Sequence, residues 1–139
     1  MGNRHRAREY SLQILFQFDF NDSDRGELHM AFWKGVSASQ DVKDFSRLLV
    51  EGVLEHGAKI DEVIRRYSEN WRLDRMTGVD RNILRMAIFE LIYCDEIPKN
   101  VTINEAVEIG KKFGSEDSGA FINGILDRVA HEFEIDQPD

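Results

Sequence analysis

Few residues in this chain have the types and spacing that catalysis needs. Ser118, Asp117 and His131 come nearest to a hydrolytic nucleophile, acid and base, but no G-x-S-x-G turn surrounds the serine. The segment from Gly119 to Gly124 has neither P-loop nor dinucleotide-binding glycine spacing. The carboxylates lie on amphipathic faces without a companion acid or a metal motif. We therefore expect no enzyme activity, no metal site and no cofactor.

Basic and aromatic side chains near the N-terminus offer a different chemistry, because single-stranded RNA is bound through phosphate contacts and base stacking. Arg4, Arg6 and Arg8 precede the first acidic residue, and Phe16 lies off the main apolar stripe of the same predicted helix. Arginines oppose the macrodipole at a helix N-terminus, and that mild penalty suggests another use for them. From composition alone, a frayed and solvated terminus explains them at least as well.

A second group of basic and aromatic residues lies near the middle of the chain. Arg65, Arg66, Arg72 and Arg75 are interleaved with Tyr67 and Trp71, a combination that could stack on a single strand and neutralise it. Neighbouring acids dilute the charge, and both aromatics fit the apolar stripe of a helix. We therefore interpret this group as structural.

The elements that carry these residues are predicted to be helices. Between Asp80 and Val129, apolar residues recur at the i, i+3, i+4 spacing of three amphipathic helices. The first starts near Thr77, which together with Asp80 forms a weak capping box. It stops before Ile97, because Pro98 removes a donor and biases the preceding residue away from helix.

The other two helices of this run have their own start and stop signals. Thr102 and Glu105 form a T-x-x-E capping box at the start of the second helix, and Gly114 is expected in the left-handed conformation at its end. Gly124 lies within the apolar stripe of the third helix, where close approach of a neighbouring helix would explain a glycine. The candidate N-caps of that third helix are Ser115, Asp117 and Ser118.

The rest of the chain is also helical in pattern. One helix runs out of the basic residues and fades by Asn21, and a short one covers about Leu28 to Lys34. Two further helices follow, one ending at Gly57 and the other continuing to Trp71. No stretch alternates like a strand, and no hairpin turn separates strand-like runs. We predict an all-α fold of about seven helices.

Composition limits how such a chain can meet a nucleic acid. The 139 residues carry a formal net charge of −8, so contact with a polyanion must be local. The one cysteine, Cys94, excludes an intramolecular disulfide and is interpreted as a small buried residue. No apolar run approaches the ~20 residues of a membrane span, and the N-terminus lacks a signal-peptide pattern. We therefore expect a cytoplasmic protein.

Several motifs occur in order along nearly the whole chain. They are Arg6-Ala7-Arg8-Glu9, Leu12-Gln13, Leu15-Phe16-Gln17, Asp80-Arg81-Asn82-Ile83-Leu84-Arg85 with Ala87 and Glu90-Leu91, Ile97-Pro98, Val101-Thr102-Ile103-Asn104-Glu105-Ala106-Val107-Glu108, Phe113-Gly114-Ser115-Glu116-Asp117-Ser118 and Phe121-Ile122-Asn123-Gly124-Ile125-Leu126-Asp127. Together they closely resemble the NusB family of bacterial transcription antitermination proteins. Only the stretch from Asn21 to about Val42 carries no recognisable motif.

The resemblance implies a fold of two small helical bundles packed across one another, with the N-terminal helix shared in the core. It implies that residues 1–139 form a single RNA-binding helical domain with a basic arm at residues 1–8. Members of the family bind boxA, a short antitermination signal in nascent RNA. The positions that the resemblance assigns to RNA contact are Arg4, Arg6, Arg8, Phe16, Asp117, Ser118 and Phe121. Phe121 also belongs to an apolar stripe, so base stacking and core packing both stay open for it.

The same resemblance implies a protein partner. Family members pair with NusE, a small-subunit ribosomal protein, and the matching surface here includes Asp80 and the helix that it begins. The implied mechanism is non-catalytic. The pair holds boxA and joins the RNA polymerase elongation complex, which then reads through terminators, notably in ribosomal RNA operons. The free protein is implied to be either a monomer or a homodimer.

Two alternatives stay open. The same fold occurs as the N-terminal RNA-binding domain of rRNA cytosine methyltransferases, although no methyltransferase domain follows here before Asp139. A helical adaptor that binds only proteins is the other alternative. Failure to bind any RNA, with or without a partner, would favour the adaptor.

Overall fold

The computed structural model describes residues 2–20, 25–68 and 73–133, which are helical over most of their length. The helices are α1 (Asn3–Phe18), α2 (Arg25–Lys34), α3 (Gln40–Glu55), α4 (Gly57–Tyr67), α5 (Gly78–Tyr93), α6 (Lys99–Phe113) and α7 (Ser118–Arg128). A 3-10 turn, Leu73–Arg75, precedes α5, and a π-helical turn, Val129–Phe133, follows α7. No strand occurs in the described ranges. The predicted all-α fold of about seven helices is confirmed.

Helix α5 joins two groups of helices. In one group α1 packs against α2 and α3, and in the other α6 packs against α7. Helix α5 contacts members of both groups, namely α1, α3, α4, α6 and α7. This is the expected arrangement of two small bundles packed across one another. Helix α1 reaches the shared core through its contact with α5.

One contiguous hydrophobic core runs through the described part of both groups. Each contributing helix turns an apolar stripe inward, as the i, i+3, i+4 spacing predicts. The large side chains with less than 2% exposure include Ile14, Leu49, Ile60, Ile64, Ile83, Leu84, Ile88, Ile109, Ile122 and Leu126. Close packing of this core fixes the relative positions of α1, α5 and α7, which carry the candidate site residues.

The ends of α5 follow local sequence signals. Thr77 Oγ1 accepts a hydrogen bond from the Asp80 N–H at 3.1 Å, so the predicted cap is confirmed. The helix ends at Tyr93, before Ile97 and Pro98, which is also as predicted. Local signals are sufficient here because both ends depend on residues within four positions of the boundary.

Cys94 lies at the C-cap of α5 and is buried. Burial, together with the nearby Glu90 and Glu96 carboxylates, raises the pKa of its thiol to about 11. A thiol with this pKa is protonated at neutral pH and is a poor nucleophile. The interpretation of Cys94 as a small buried residue is confirmed.

The predicted start of α6 is wrong. The helix begins at Lys99 with Pro98 at its N-cap, so Thr102 and Glu105 lie inside the helix and form no capping box. Proline suits this boundary because its fixed φ is already compatible with a helix start and because an N–H is not needed there. Thr102 and Glu105 instead bind side chains of other helices, as described below.

Two glycine predictions are also wrong. Gly114 has φ −96° and ψ −162°, which is extended rather than left-handed backbone. A glycine is needed there because a Cβ would collide with the side chain of Ser118. Among the described residues, a Cβ at Gly124 would meet nothing within 4 Å, so no described helix approaches it closely. The close approach of α6 and α7 lies at Gly110 instead, where a Cβ would stand 2.7 Å from Cδ1 of Ile122.

Parts of two predictions lie outside the described residues. These are the end of the first helix near Asn21, and the members Trp71 and Arg72 of the second basic and aromatic group. Within the described ranges, no helix is both long enough and apolar enough to cross a membrane.

Candidate nucleic-acid interface

Arg4 and Arg6 present exposed guanidinium groups in the first turns of α1. The guanidinium carbon of Arg4 lies 4.6 Å from the ring centre of Phe45 on α3, a cation–π distance. Arg6 Nη2 donates a hydrogen bond to the Tyr10 hydroxyl at 3.2 Å. Two positions on a helix differ by about 200°, so the two side chains leave α1 in different directions. Both charges are accessible to a polyanion.

Arg8 has a different environment, because its side chain is buried between α1, α5 and α6. Its Nε and Nη2 donate to the two carboxylate oxygens of Glu90 at 2.8 and 2.7 Å, and its Nη1 donates to Glu105 Oε1 at 3.2 Å. Burial by itself would lower the pKa of Arg8, but the hydrogen bonds and charges of Glu90 and then Glu105 outweigh it and raise the pKa. Arg8 does not have the exposed position that phosphate binding needs. Its environment thus differs from that of the exposed Arg4 and Arg6, and RNA contact by Arg8 stays a prediction.

Two further side chains complete the surroundings of this ion pair. Thr102 Oγ1 donates to Glu90 Oε1 at 2.9 Å, so α6 also contributes to the buried carboxylate. Glu105 Oε1 lies 2.8 Å from His5 Nδ1, and His5 Nε2 lies 2.9 Å from a carboxylate oxygen of Glu9. The first two turns of α1 are therefore tied to α5 and α6 by polar contacts.

Sequence reasoning missed Glu90, Thr102 and Glu105 as parts of one network. The signal that could have found it is Glu90, which follows the buried residues Ile83 and Ala87 by seven and three positions. An acid at that spacing falls on the inward side of α5, where a buried carboxylate requires a partner. The partner itself was not predictable from local sequence, because Arg8 is 82 residues away.

Phe16 lies two turns further along α1 than Glu9 and packs against the start of α5. A Cβ at Gly78 would stand 2.8 Å from Cε1 of Phe16, so the ring lies on the backbone of that glycine. The Phe16 side chain is 37% exposed, and its ring makes an edge contact with Phe20 at a centroid distance of 5.1 Å. An aromatic ring that is partly exposed in this way can stack on a base or pack against a protein partner.

The end of α1 is fixed to α5 by Asp19. Its Oδ2 accepts hydrogen bonds from Asn82 Nδ2 at 2.8 Å and from Arg81 Nη2 at 3.3 Å. Arg81 Nη1 also donates to the carbonyl oxygens of Leu73 and Met76 at 3.3 Å each. These contacts hold Phe16 next to the first turn of α5.

A cavity of about 210 Å³ lies beside the first turn of α5, and we call it the Asp80 cavity. Asp80 is 8% exposed, and its Oδ1 has no hydrogen-bond partner in the described part of the chain. Asp117 and Phe121 line the same cavity from the start of α7, together with the hydroxyl-bearing Thr77 and Ser115. Arg75 and Met76 complete the lining, so the cavity offers both hydrogen-bond acceptors and the donors of a guanidinium group. The unpaired Oδ1 of Asp80 is the atom in it that suits a ligand group that donates a hydrogen bond.

Ser118 is the first residue of α7, as one of the sequence interpretations expected, and Asp117 occupies the N-cap position. The Ser118 side chain is 1% exposed, and its Oγ accepts a hydrogen bond from the Ser115 N–H at 2.9 Å. The hydroxyl thus stabilises the turn between α6 and α7. A buried hydroxyl does not favour direct RNA contact, and the assignment of Ser118 to such a contact stays a prediction.

The predicted functional residues fall into two separate places. Arg4 and Arg6 lie at the start of α1, about 15 Å along the helix from Phe16. Phe16, Asp80 and Phe121 lie around the first turn of α5, and Asp117 joins them through the Asp80 cavity. Asp80, which is predicted to contact the protein partner, thus lines the same cavity as Asp117 and Phe121, which are predicted to contact RNA.

The second basic and aromatic group has a mixed character. Tyr67 is 3% exposed and packs in the core, as the structural interpretation predicted. Arg65 and Arg66 are exposed on α4. Among the described residues, no group of three or more histidines, cysteines and acids is placed to hold a metal ion.

Comparison with known proteins decides the family. The model of the NusB family matches residues 5–131. The chain belongs to the NusB family. It is 50% identical over 134 residues to the transcription antitermination protein NusB of Myxococcus xanthus, a match that covers 94% of this chain and 96% of that protein. The NusB protein of Anaeromyxobacter dehalogenans strain 2CP-1 is 51% identical over 130 residues, covering 93% and 91%.

Solved structures of NusB proteins have the same fold. T. maritima NusB superposes with a TM-score of 0.83 at 42% identity, covering 93% of this chain and 91% of that chain. A chain from the crystal structure of the antitermination factors NusB and NusE in complex with dsRNA superposes with a TM-score of 0.84 at 27% identity. That match covers 95% of this chain and 98% of the other.

Proposed function

We propose that this NusB-family chain is a non-catalytic transcription antitermination factor that binds RNA and acts together with NusE. Its relatives carry the name of that function, and a structural neighbour contains NusB, NusE and RNA together. We further propose that this RNA is boxA. The pair acts in the cytoplasm, joins the RNA polymerase elongation complex and promotes read-through, notably of ribosomal RNA operons.

The observation that carries the proposal is the exposure of two arginines in an acidic protein. Arg4 and Arg6 keep accessible charges at the start of α1, although the chain has a net charge of −8. Exposed guanidinium groups bind phosphates and also stack on unpaired bases. Local positive charge on an acidic protein supports a restricted RNA-binding surface rather than general affinity for polyanions.

The residues around the first turn of α5 supply the second half of the proposed interface. Phe16 and Phe121 are partly exposed rings, and either can stack on a base. Asp117 is an exposed acceptor for the amino group of a base. Asp80 supports the NusE contact, because its unpaired buried carboxylate oxygen suits a donor from a protein partner.

The test is RNA binding by the purified chain, measured by fluorescence anisotropy. The probes are a boxA RNA and a scrambled RNA of equal length and composition, each with and without NusE. We expect stronger binding to boxA than to the scrambled RNA, and tighter binding when NusE is present. Equal binding to both RNAs would contradict the boxA assignment. Capture of NusE without binding to either RNA would favour the protein-binding adaptor.

A further inference from the structure

The polar contacts beneath the start of α1 form one connected unit, which we call the Arg8 clamp. It consists of Arg8 from α1, Glu90 from α5, and Thr102 and Glu105 from α6. The side chains of Arg8, Glu90 and Thr102 are each buried. The clamp therefore joins three helices through a charged pair that lies in the protein interior.

The Arg8 clamp also reaches the exposed part of the basic arm. Glu105 Oε1 is shared by Arg8 Nη1 at 3.2 Å and His5 Nδ1 at 2.8 Å. His5 lies between Arg4 and Arg6 in the sequence, so the backbone between the two exposed arginines is tied to α6. Without these contacts the first turn of α1 would resemble the N-terminus of an ordinary helix, which frays.

Each of the three guanidinium nitrogens of Arg8 already donates a hydrogen bond to a carboxylate. Its Nε and Nη2 are used by Glu90, and its Nη1 is used by Glu105. A phosphate would have to replace one of these carboxylates at a side chain that is 4% exposed. Removing the partner of a buried charge is costly, because the remaining charge loses both its counter-ion and its hydration.

We propose that Arg8 is a positioning residue rather than a phosphate ligand. The Arg8 clamp fixes the first two turns of α1 so that Arg4 and Arg6 present their charges to one RNA at a constant separation. This inference rests on the proposed RNA-binding function. It assigns Glu90, Thr102 and Glu105 to the same role, although none of them contacts the RNA.

The test compares the salt dependence of boxA RNA binding among four proteins under conditions where circular dichroism shows each to be folded. They are the wild type, Arg8→Met, the double variant Arg8→Met/Glu90→Met, and the control Arg6→Met. Replacing both members of a buried ion pair by apolar side chains often preserves the fold, whereas removing one member does not. Each phosphate contact contributes about 0.7 to the logarithmic salt slope for a single strand.

A positioning role predicts a specific pattern. Arg8→Met weakens binding and lowers the slope by up to about 1.4, because both Arg4 and Arg6 lose their fixed positions. The double variant regains the affinity and slope of the wild type although it lacks the Arg8 charge. Arg6→Met lowers the slope by about 0.7, which calibrates the loss of one true contact. If Arg8→Met does not fold, Thr102→Val replaces it, because it removes only one hydrogen bond to Glu90.

Two results would overturn the inference. A double variant that folds but stays about 0.7 lower in slope would make Arg8 a phosphate ligand. A folded Arg8→Met or Thr102→Val protein with the affinity and slope of the wild type would reduce the clamp to a purely stabilising role. A wild-type protein that binds no RNA would instead overturn the proposed function itself, so the two failures are distinguishable.

Discussion

The ring of Phe16 lies against the backbone of Gly78, so close that a Cβ at position 78 would collide with it. A Cβ at position 78 would stand 2.8 Å from Cε1 and 3.1 Å from Cδ1 of that ring. The contact joins the last turn of α1 to the first turn of α5. It therefore determines where a partly exposed aromatic ring stands relative to the Asp80 cavity.

We expect Gly78→Ala to displace the Phe16 ring while changing stability by no more than about 1 kcal/mol. The ring can turn toward solvent, and alanine is a better helix former than glycine. RNA affinity should fall, because the proposed stacking surface moves. A double-mutant cycle with Phe16→Ala checks the cause, since Gly78→Ala should have no further effect once the ring is absent. Additive losses in affinity would mean that Gly78 acts independently of Phe16.

Gly124→Ala should stabilise the protein by about 0.5–1 kcal/mol, because the new methyl group meets no atom and the helix propensity of alanine is higher. Gly110→Ala is the matched control within α6. Its Cβ would press on the buried Ile122, and overpacking of about 1–3 kcal/mol should outweigh the propensity gain. Urea unfolding of both variants measures the difference. Destabilisation by Gly124→Ala would show that Gly124 has a neighbour after all.

Arg4→Ala/Arg6→Ala should lower the salt slope of RNA binding by about 1.4, that is, by two contacts of about 0.7 each. Three equivalent phosphate-binding arginines would have contributed about 2 to the salt slope, but Arg8 is buried. Arg65→Ala/Arg66→Ala is the matched control, because it removes two exposed charges from α4. A larger loss of salt slope in Arg65→Ala/Arg66→Ala than in Arg4→Ala/Arg6→Ala would place the RNA surface on α4.

Asp80→Asn should weaken capture of NusE while leaving RNA binding by the isolated chain nearly unchanged. The amide keeps the size of the side chain and removes its charge. A lysine at this position is a less informative change, because Asp80 is buried beside Asp117 and Phe121, so a lysine would also disturb the RNA residues. Asp41→Asn, an exposed acid in the first turn of α3, controls for the loss of a helix-dipole interaction. Equal losses of NusE and RNA binding would show that the two functions share the cavity.

Phe121→Leu should reduce RNA affinity by about 1–3 kcal/mol if the ring stacks on a base, with little change in salt slope. Leucine keeps most of the apolar contact with the core, so the melting temperature should change little. Thermal melting by circular dichroism checks that condition. Unchanged RNA affinity in the folded variant would assign Phe121 to core packing alone.

The sequence predicted those features that depend on neighbouring residues. The Thr77 cap and the end of α5 before Pro98 depend on residues no more than five positions from the boundary, and the apolar stripes place Ile83 and Ile122 in the core. Family motifs, rather than spacing, supplied the arrangement of the bundles and the RNA and partner residues.

The wrong predictions concern residues whose partners are distant in sequence. Thr102 and Glu105 have the types of a capping box, but the carboxylate and guanidinium that bind them come from α5 and α1. Arg8 looks like its neighbours Arg4 and Arg6 until Glu90 is placed beside it. Helical periodicity locates a residue on a face and does not say which charge lies opposite.

The Arg8 clamp can form only late in synthesis, after the residues of α6 have been made. Arg8 leaves the ribosome before its partners, because Glu90, Thr102 and Glu105 are made more than eighty residues later. At about 5–20 residues per second, the arm waits roughly 4–20 s for its last partner. During that interval its three arginines are all uncompensated, so a nascent chain is more cationic at its N-terminus than the finished protein. Completion of α6 converts one of those charges from a free cation into a fixed part of the interior.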